Sequence, residues 1–299
     1  MSKTFIRSPL NYTGGKYKIL RHIVPCFPKH INRFVDLFAG GLNVGINIDA
    51  QTIYANDQIT YLVELYKYFQ ETPTTELLLL IKERIDHYNL TLTNADGYNA
   101  LRAEYNRNPS PIDLFVLTCF SFNHQIRFNS KHEFNTPFGK ERSTYNNNIE
   151  NNLVRFCDAL QKKNIVLSTV DFRDFDFSIL DSDDIVYCDP PYLITTGSYN
   201  DGKRGFKDWT MQEDNALLNL LDSLNERGIM FAMSNVFTHK GLTNDCLIEW
   251  SKKYSITYID KIYSNCSYHF KDRAAKTIEV LITNFEWEEP KCDQLQMKI

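Results

Sequence analysis

The sequence predicts an α/β fold with a mainly parallel sheet of about seven strands, and three observations carry that reading. Short runs rich in β-branched and aromatic residues recur along the chain, with helical patterns between most of them. Glycines and acids cluster where several of these runs end. The alternation fails between residues 58 and 164, a stretch too long for a loop, which reads as an inserted second unit.

The elements follow in chain order. A strand over Arg33–Phe38 runs into Ala39-Gly40-Gly41, with a helix expected from about Leu42. A second strand, Thr52–Ala55, ends in Asn56-Asp57 and feeds a helix over Ile59–Phe69. The insert shows helices at Thr75–Tyr88, Tyr98–Asn106 and Pro111–Phe122, then a polar segment. Strands resume at Ile165–Val170, Ile185–Cys188, Ile229–Met233, Ile256–Ile262 and Thr277–Ile282. The helix Met211–Asn225 carries Leu217, Leu218, Leu221 and Leu224 as one apolar stripe. Residues 1–57 and 165–287 therefore form one domain and 58–164 another, while 288–299 is polar and reads as a flexible tail.

Composition excludes several classes. No apolar run approaches the ~18 residues of a membrane span, and the N-terminus lacks a signal-peptide core, so a cytoplasmic protein with no membrane partner is expected. The 7 cysteines are scattered without a CxxC pair, and His spacing suggests no cluster, so neither a disulfide frame nor a metal site is expected. A net charge of −4 argues against unspecific polyanion binding. Yet seven bases, from Lys3 to Arg33, precede the first acid, Asp36. That asymmetry fits a phosphate-facing surface and equally a solvated face.

Asp189-Pro190-Pro191-Tyr192 is the most informative stretch. It follows the apolar run Asp184–Cys188, and two prolines fix φ and remove two backbone donors. A carboxylate, a bare carbonyl and an aromatic face are then offered together, which suits the amine of a planar base. A capped Pro-Pro turn reads equally well from these residues alone. The turn after Val35-Asp36-Leu37-Phe38 lets backbone amides approach a ligand, and Asp57 stands where a doubly wound fold commonly holds a ribose diol. GxGxxG spacing is absent, so a nucleoside without pyrophosphate, such as S-adenosylmethionine, fits better than a nicotinamide cofactor. Asn11-Tyr12-Thr13-Gly14-Gly15-Lys16 is a second Gly-turn, in which Lys16 can receive a carboxylate and Tyr12 can cover a small ligand. Asp171 and Phe172 close a later strand and are further cofactor candidates, Phe172 against an adenine ring.

Six motifs in this order carry a family resemblance. Tyr12–Lys16, Phe34–Gly41, Asn56-Asp57, Phe134–Lys140, Asp189–Thr195 and Ser234-Asn235-Val236 resemble the Dam-type (alpha-class) DNA adenine-N6 methyltransferases, closest to the Dam enzymes of T-even phages. The resemblance spans nearly the whole chain. It implies a Rossmann-like S-adenosylmethionine-dependent methyltransferase sheet with a mainly helical target-recognition insert carrying a β-hairpin. It further implies that Tyr12 and Lys16 hold the methionine end of S-adenosylmethionine, that Asp36, Phe38 and Gly40 line its turn, and that Asp57 takes its ribose. Asp189 and the Pro190 carbonyl would accept the two N6 hydrogens of a flipped adenine, beside Pro191, and Tyr192 would stack on the base.

The implied partner is double-stranded DNA, read by the hairpin. Arg127 can fork onto a guanine edge, and Asn or Gln side chains can pair with adenine. Asn123, Gln125, Asn129, Asn135 and Pro137 accompany Arg127, while Lys140 and Arg142 suit phosphates or a second base. The implied target is GATC. Asn123 and Gln125 stand where the phage enzymes have Ser and Met, which adds polar groups to the reading surface. The segment Gly197–Trp209, with Lys203 and Arg204, reads as a clamp on the strand. Three other readings are carried: an amine methyltransferase on cytosine N4 or protein glutamine, a nicotinamide oxidoreductase, and a non-catalytic DNA-binding module. The biological setting is a phage, a housekeeping role, or a restriction system whose cognate endonuclease need not touch this chain.

Overall fold

A computed structural model describes residues 4–195, 209–259 and 277–287. Its sheet begins with β1 (Arg33–Asp36) and β2 (Thr52–Asn56), continues with β3 (Ile165–Ser168) and β4 (Ile185–Cys188), and then β5 (Met230–His239). Two further residues, β6 (Leu242–Thr243), turn back on β5, and β7 (Ser255–Tyr258) and β8 (Ile278–Thr283) finish it. The strand order is β3-β2-β1-β4-β5-β8-β7. The first five are parallel, and β8 runs antiparallel between β5 and β7. Strand order reverses between β1 and β4, and the carboxyl ends of those two strands open the crevice where doubly wound folds bind ligands.

Strand periodicity explains why β4 is an unbroken apolar run. Ile185 and Tyr187 enter one buried cluster and Val186 and Cys188 the other, so both faces of the sheet are covered. On the second face lie α7 (Met211–Glu226) and α8 (Asp245–Ser251), α7 burying the predicted leucine stripe. Its start is fixed by a capping box in which Thr210 and Glu213 satisfy each other's turn.

Before the sheet stands a single helical turn, α1 (Leu20–Ile23), entered through a 3-10 turn, Lys16–Ile19. The first face is covered by α2 (Thr60–Glu71), α3 (Thr74–His87), α4 (Ala95–Arg107), α5 (Pro111–Phe120) and α6 (Asn147–Lys162). Ser110 caps α5 just before Pro111, which suits a helix start. These helices share one buried cluster with Phe34, Ile53 and Ile185 of the sheet, so the 58–164 stretch is anchored to it through apolar packing.

Two elements differ from the sequence reading. No α-helix follows β1: Leu42 takes φ +52° and only a 3-10 turn, Gly45–Asn47, forms before the chain extends again. Conversely, α6 falls within the expected polar segment. Its asparagines obscure a stripe of Leu153, Phe156, Cys157 and Leu160 at helical spacing, all buried. The expected hairpin is present as two isolated antiparallel bridges, Ser121↔Phe138 and Phe128↔Phe134. Phe128 and Phe134 are buried edge to face, with ring centroids 5.7 Å apart, and they pin the turn onto Tyr61 and Tyr105. The later half of the Ile256–Ile262 strand and the polar tail lie outside the described residues. Among the described residues no helix is long and apolar enough to cross a membrane.

Candidate active site

One cleft of about 1090 Å³, counted out to its open mouth, lies at the carboxyl ends of β1 and β4. It is built from four turns. The first is Tyr12–Lys16, closed by a hydrogen bond from the Gly15 amide to the Tyr12 carbonyl (3.1 Å). The second is Phe38–Gly41. Gly40 has φ +46°, and a Cβ there would stand 2.8 Å from Tyr12 Cε1, so only glycine allows the two turns to meet. Tyr66 of α2 donates to the Gly40 carbonyl (2.8 Å) and fixes this turn from below.

The third follows β2, where Asp57 accepts from the Gly40 amide (2.7 Å) and from the Ile59 amide (3.0 Å). Its neighbour Asn56 is buried and donates to the carbonyls of Leu37 and Val170, tying three strand ends together. Asp36 is 1% exposed and accepts from the Gly45 amide (2.9 Å). Burial pushes its carboxyl up to about 7, against the pull of the Gly45 amide and with help from the charges of Asp189 and Asp57. Asp36 thus belongs to the floor of the cleft, where it ties off the turn after β1.

Phe172 lies beneath the far wall with Phe38 (5.5 Å) and Trp209 (5.7 Å) around it. Arg173 covers the Phe172 ring at 4.9 Å. Asp171 turns away from the cleft lining onto Arg173, at 2.8 Å. Burial raises the Asp171 carboxyl, but the Arg173 guanidinium and amide outweigh it and hold the group below the usual carboxylate value.

The fourth turn is Asp189–Tyr192. Lys16 Nζ stands 2.8 Å from Asp189 Oδ1 and also donates to the Gly14 carbonyl (3.1 Å). The Tyr192 hydroxyl donates to the same Oδ1 (3.0 Å). Burial first, and the Asp189 charge second, push the Tyr192 phenol well up and keep its proton available for that bond. Both contacts fall on Oδ1 and leave Oδ2 outside them. Lys16 Nζ lies over the Tyr192 ring, 5.1 Å from its centroid, so one face of the ring is held by the cation.

The structure gathers Tyr12, Lys16, Asp36, Phe38, Gly40 and Asp57 around this cleft, with Phe172 and the residues Asp189, Pro190, Pro191 and Tyr192. The hairpin residues lie apart, on the insert. Asn123, Gln125, Arg127, Pro137, Lys140 and Arg142 are exposed, and Asn129 and Asn135 half-buried. Arg127 donates to Asn135 through Nε (2.9 Å to Oδ1) and Nη2 (3.1 Å to the carbonyl). Lys203 and Arg204, with most of the Gly197–Trp209 segment, lie outside the described residues. Sequence reasoning missed Tyr66, Arg173, Glu213 and Trp209, all of which bear on the cleft. Only the capping pattern Thr210–Glu213 offered a signal, and that signal is structural. Among the described residues no group of three His, Cys, Asp or Glu is placed to hold a metal.

A doubly wound sheet with a Gly-rich turn after β1, an acid after β2 and a carboxylate–proline turn after β4 defines a Rossmann-like methyltransferase. The comparisons agree. A sequence model of the D12 class N6 adenine-specific DNA methyltransferases matches residues 12–276, and the chain belongs to that family. It is 50% identical over 284 residues to the Type II methyltransferase M.FokI of Planomicrobium okeanokoites, covering 95% of this chain and 44% of that protein. It is 50% identical over 287 residues to the modification methylase StsI of Streptococcus sanguinis, again over 95% and 44%. The chain therefore spans less than half the length of these two relatives. The DNA adenine methylase of Escherichia coli strain K12 is more distant, 28% identical over 243 residues, with 77% of this chain and 80% of that protein covered. The restriction–modification enzymes are thus nearer relatives than this Dam enzyme.

Proposed function

We propose that the chain is a site-specific DNA adenine-N6 methyltransferase that flips its target base from the duplex and uses S-adenosylmethionine as donor. The observation that carries this is the Asp189 carboxylate, held at Oδ1 by Lys16 and Tyr192 in the lining of the open cleft. The cleft suits the cofactor: Lys16 for its carboxylate, Asp57 for its ribose, and the Phe38–Phe172–Trp209 wall for its adenine. When bound, it supplies an electrophilic sulfonium methyl.

The chain's own residues do the rest. Asp189 Oδ2 and the Pro190 carbonyl accept the two N6 hydrogens, which localises a lone pair otherwise delocalised into the ring. The nitrogen is thereby aimed, and orientation supplies much of the rate. One N–C bond forms as the S–C bond breaks, and the surplus N6 proton leaves to solvent. Tyr192 stacks on the base, and such stacking, ~1–3 kcal/mol, offsets part of the few-kcal/mol cost of flipping.

The domain roles belong to the same proposal. Residues 1–57 and 165–287 do the chemistry and 58–164 reads DNA, with Arg127 held ready by Asn135. GATC is the proposed target, from the likeness over 135–140, and Asn123 and Gln125 are the positions where this chain departs from the phage enzymes. The relatives' names favour a restriction–modification setting over a phage one, with an endonuclease sharing the sequence and needing no contact with this chain.

Labelled methyl transfer into duplex DNA, followed by nucleoside analysis, tests the function. N6-methyladenine is expected, and Asp189→Ala should abolish it while cofactor and DNA binding persist. N4-methylcytosine, methylated protein glutamine, or binding without transfer would each establish one of the competing readings. Digestion of host DNA with enzymes that sense GATC methylation tests the target.

A further inference from the structure

Lys16 lies between two carboxylates, not one. Its Nζ is 2.8 Å from Asp189 Oδ1 and 3.8 Å from Glu279 Oε1. The lysine side chain is 7% exposed, against 19% for Asp189 and 24% for Glu279, so little water screens the trio. Glu279 comes from β8, opposite Val236 of β5, and the transfer chemistry above makes no use of it.

Charge gives Glu279 a role. Lys16 and Asp189 alone cancel. A sulfonium arriving beside them adds a positive charge that this pair does not offset, in a half-buried cleft where unpaired charge is costly. The remaining acids sit elsewhere around the cleft: Asp36 is in the floor on Gly45, Asp57 is on the Gly40 and Ile59 amides, and Glu213 stands with Asp171 against Arg173.

We propose that Glu279 is a specificity-determining residue for the cationic methyl donor. Paired with Lys16, it makes the cleft prefer a sulfonium to the neutral thioether left after transfer. The inference rests on the S-adenosylmethionine reading above. The donor and S-adenosylhomocysteine share nucleoside, ammonium and carboxylate, and differ by one methyl and one positive charge. Their affinity ratio therefore isolates the effect. The same preference helps product leave, because the attraction disappears with the charge.

Calorimetric titration of the full chain with each ligand, in wild type, Glu279→Gln and Glu279→Asp, tests the assignment. Glu279→Gln is expected to weaken the donor about tenfold and the thioether less than about twofold. Glu279→Asp, which keeps the charge, should restore most of the preference. Equal weakening of both ligands would mean a merely structural role and overturns the proposal, as does a Glu279→Gln chain that binds both like wild type. A wild-type chain that binds neither ligand overturns the cofactor reading and this inference together, a result distinct from the other two.

Discussion

Asn11 donates from Nδ2 to the Asn123 carbonyl at 2.8 Å, across 112 residues of chain. One partner precedes Tyr12 of the cleft, and the other lies in a 3-10 turn, Phe122–His124, at the base of the hairpin, with φ +56°. The hairpin segment and the cleft thus share a hydrogen bond. A neutral bond of this kind contributes ~1 kcal/mol. Asn11→Ala should therefore lower transfer to cognate duplex by about fivefold, while cofactor affinity without DNA stays at the wild-type value. Steady-state kinetics beside calorimetry checks this. A matching fall in DNA-free cofactor affinity would show that the bond serves only the cofactor turn.

Gly40 and Gly228 both have positive φ, +46° and +73°, but in different company. A Cβ on Gly40 meets the Tyr12 ring at 2.8 Å, whereas Gly228 has nothing within 4 Å. Strain alone costs ~1–2 kcal/mol at either site. Gly40→Ala is expected to lose that stability and also cofactor affinity, by tenfold or more. Gly228→Ala should lower the melting temperature and leave the cofactor bound as in wild type.

Much of this architecture was legible in the chain because the sheet is buried on both faces. Ile185–Cys188 reads as a strand since every position must be apolar, and the structure keeps those bounds. The cleft turns were legible because Gly40 and the Asp189–Tyr192 tetrapeptide are chemically unusual. What stayed hidden depends on distant partners. Tyr66 looks like any core aromatic of α2 until its hydroxyl is seen on Gly40. Glu279 reads as an ordinary strand acid until β8 sets it near Lys16. The helix expected after Gly41 does not form, since Asp36 and Leu42 close the turn locally and the chain extends at Ile48.

Arg127 is exposed, yet its guanidinium is already oriented by two bonds to Asn135. If it forks onto one guanine edge, Arg127→Ala should relax discrimination at a single base pair by ~1–3 kcal/mol and barely change affinity for unrelated DNA. Arg127→Lys should do nearly as badly, because an ammonium lacks the planar fork. Asn135→Ala, which only loosens the orientation, should cost less. Methylation rates on a panel of single-substituted duplexes decide this, and a uniform loss across the panel would make Arg127 a phosphate contact.

The Asp36 carboxyl makes stability depend on pH. Its ordinary value is 3.8 and the fold pushes it to about 7, so between those values the unfolded chain has lost a proton that the folded chain keeps. The favourable contribution is therefore whole below about pH 4 and is lost as pH rises towards 7. The ceiling on that loss is ~4 kcal/mol. Asp36→Asn keeps an acceptor for the Gly45 amide and cannot ionise. The variant should match wild type at pH 4 and be more stable at pH 8 by up to that amount. Denaturant unfolding at the two pH values measures it, and parallel curves for the two proteins would mean that another group carries the dependence.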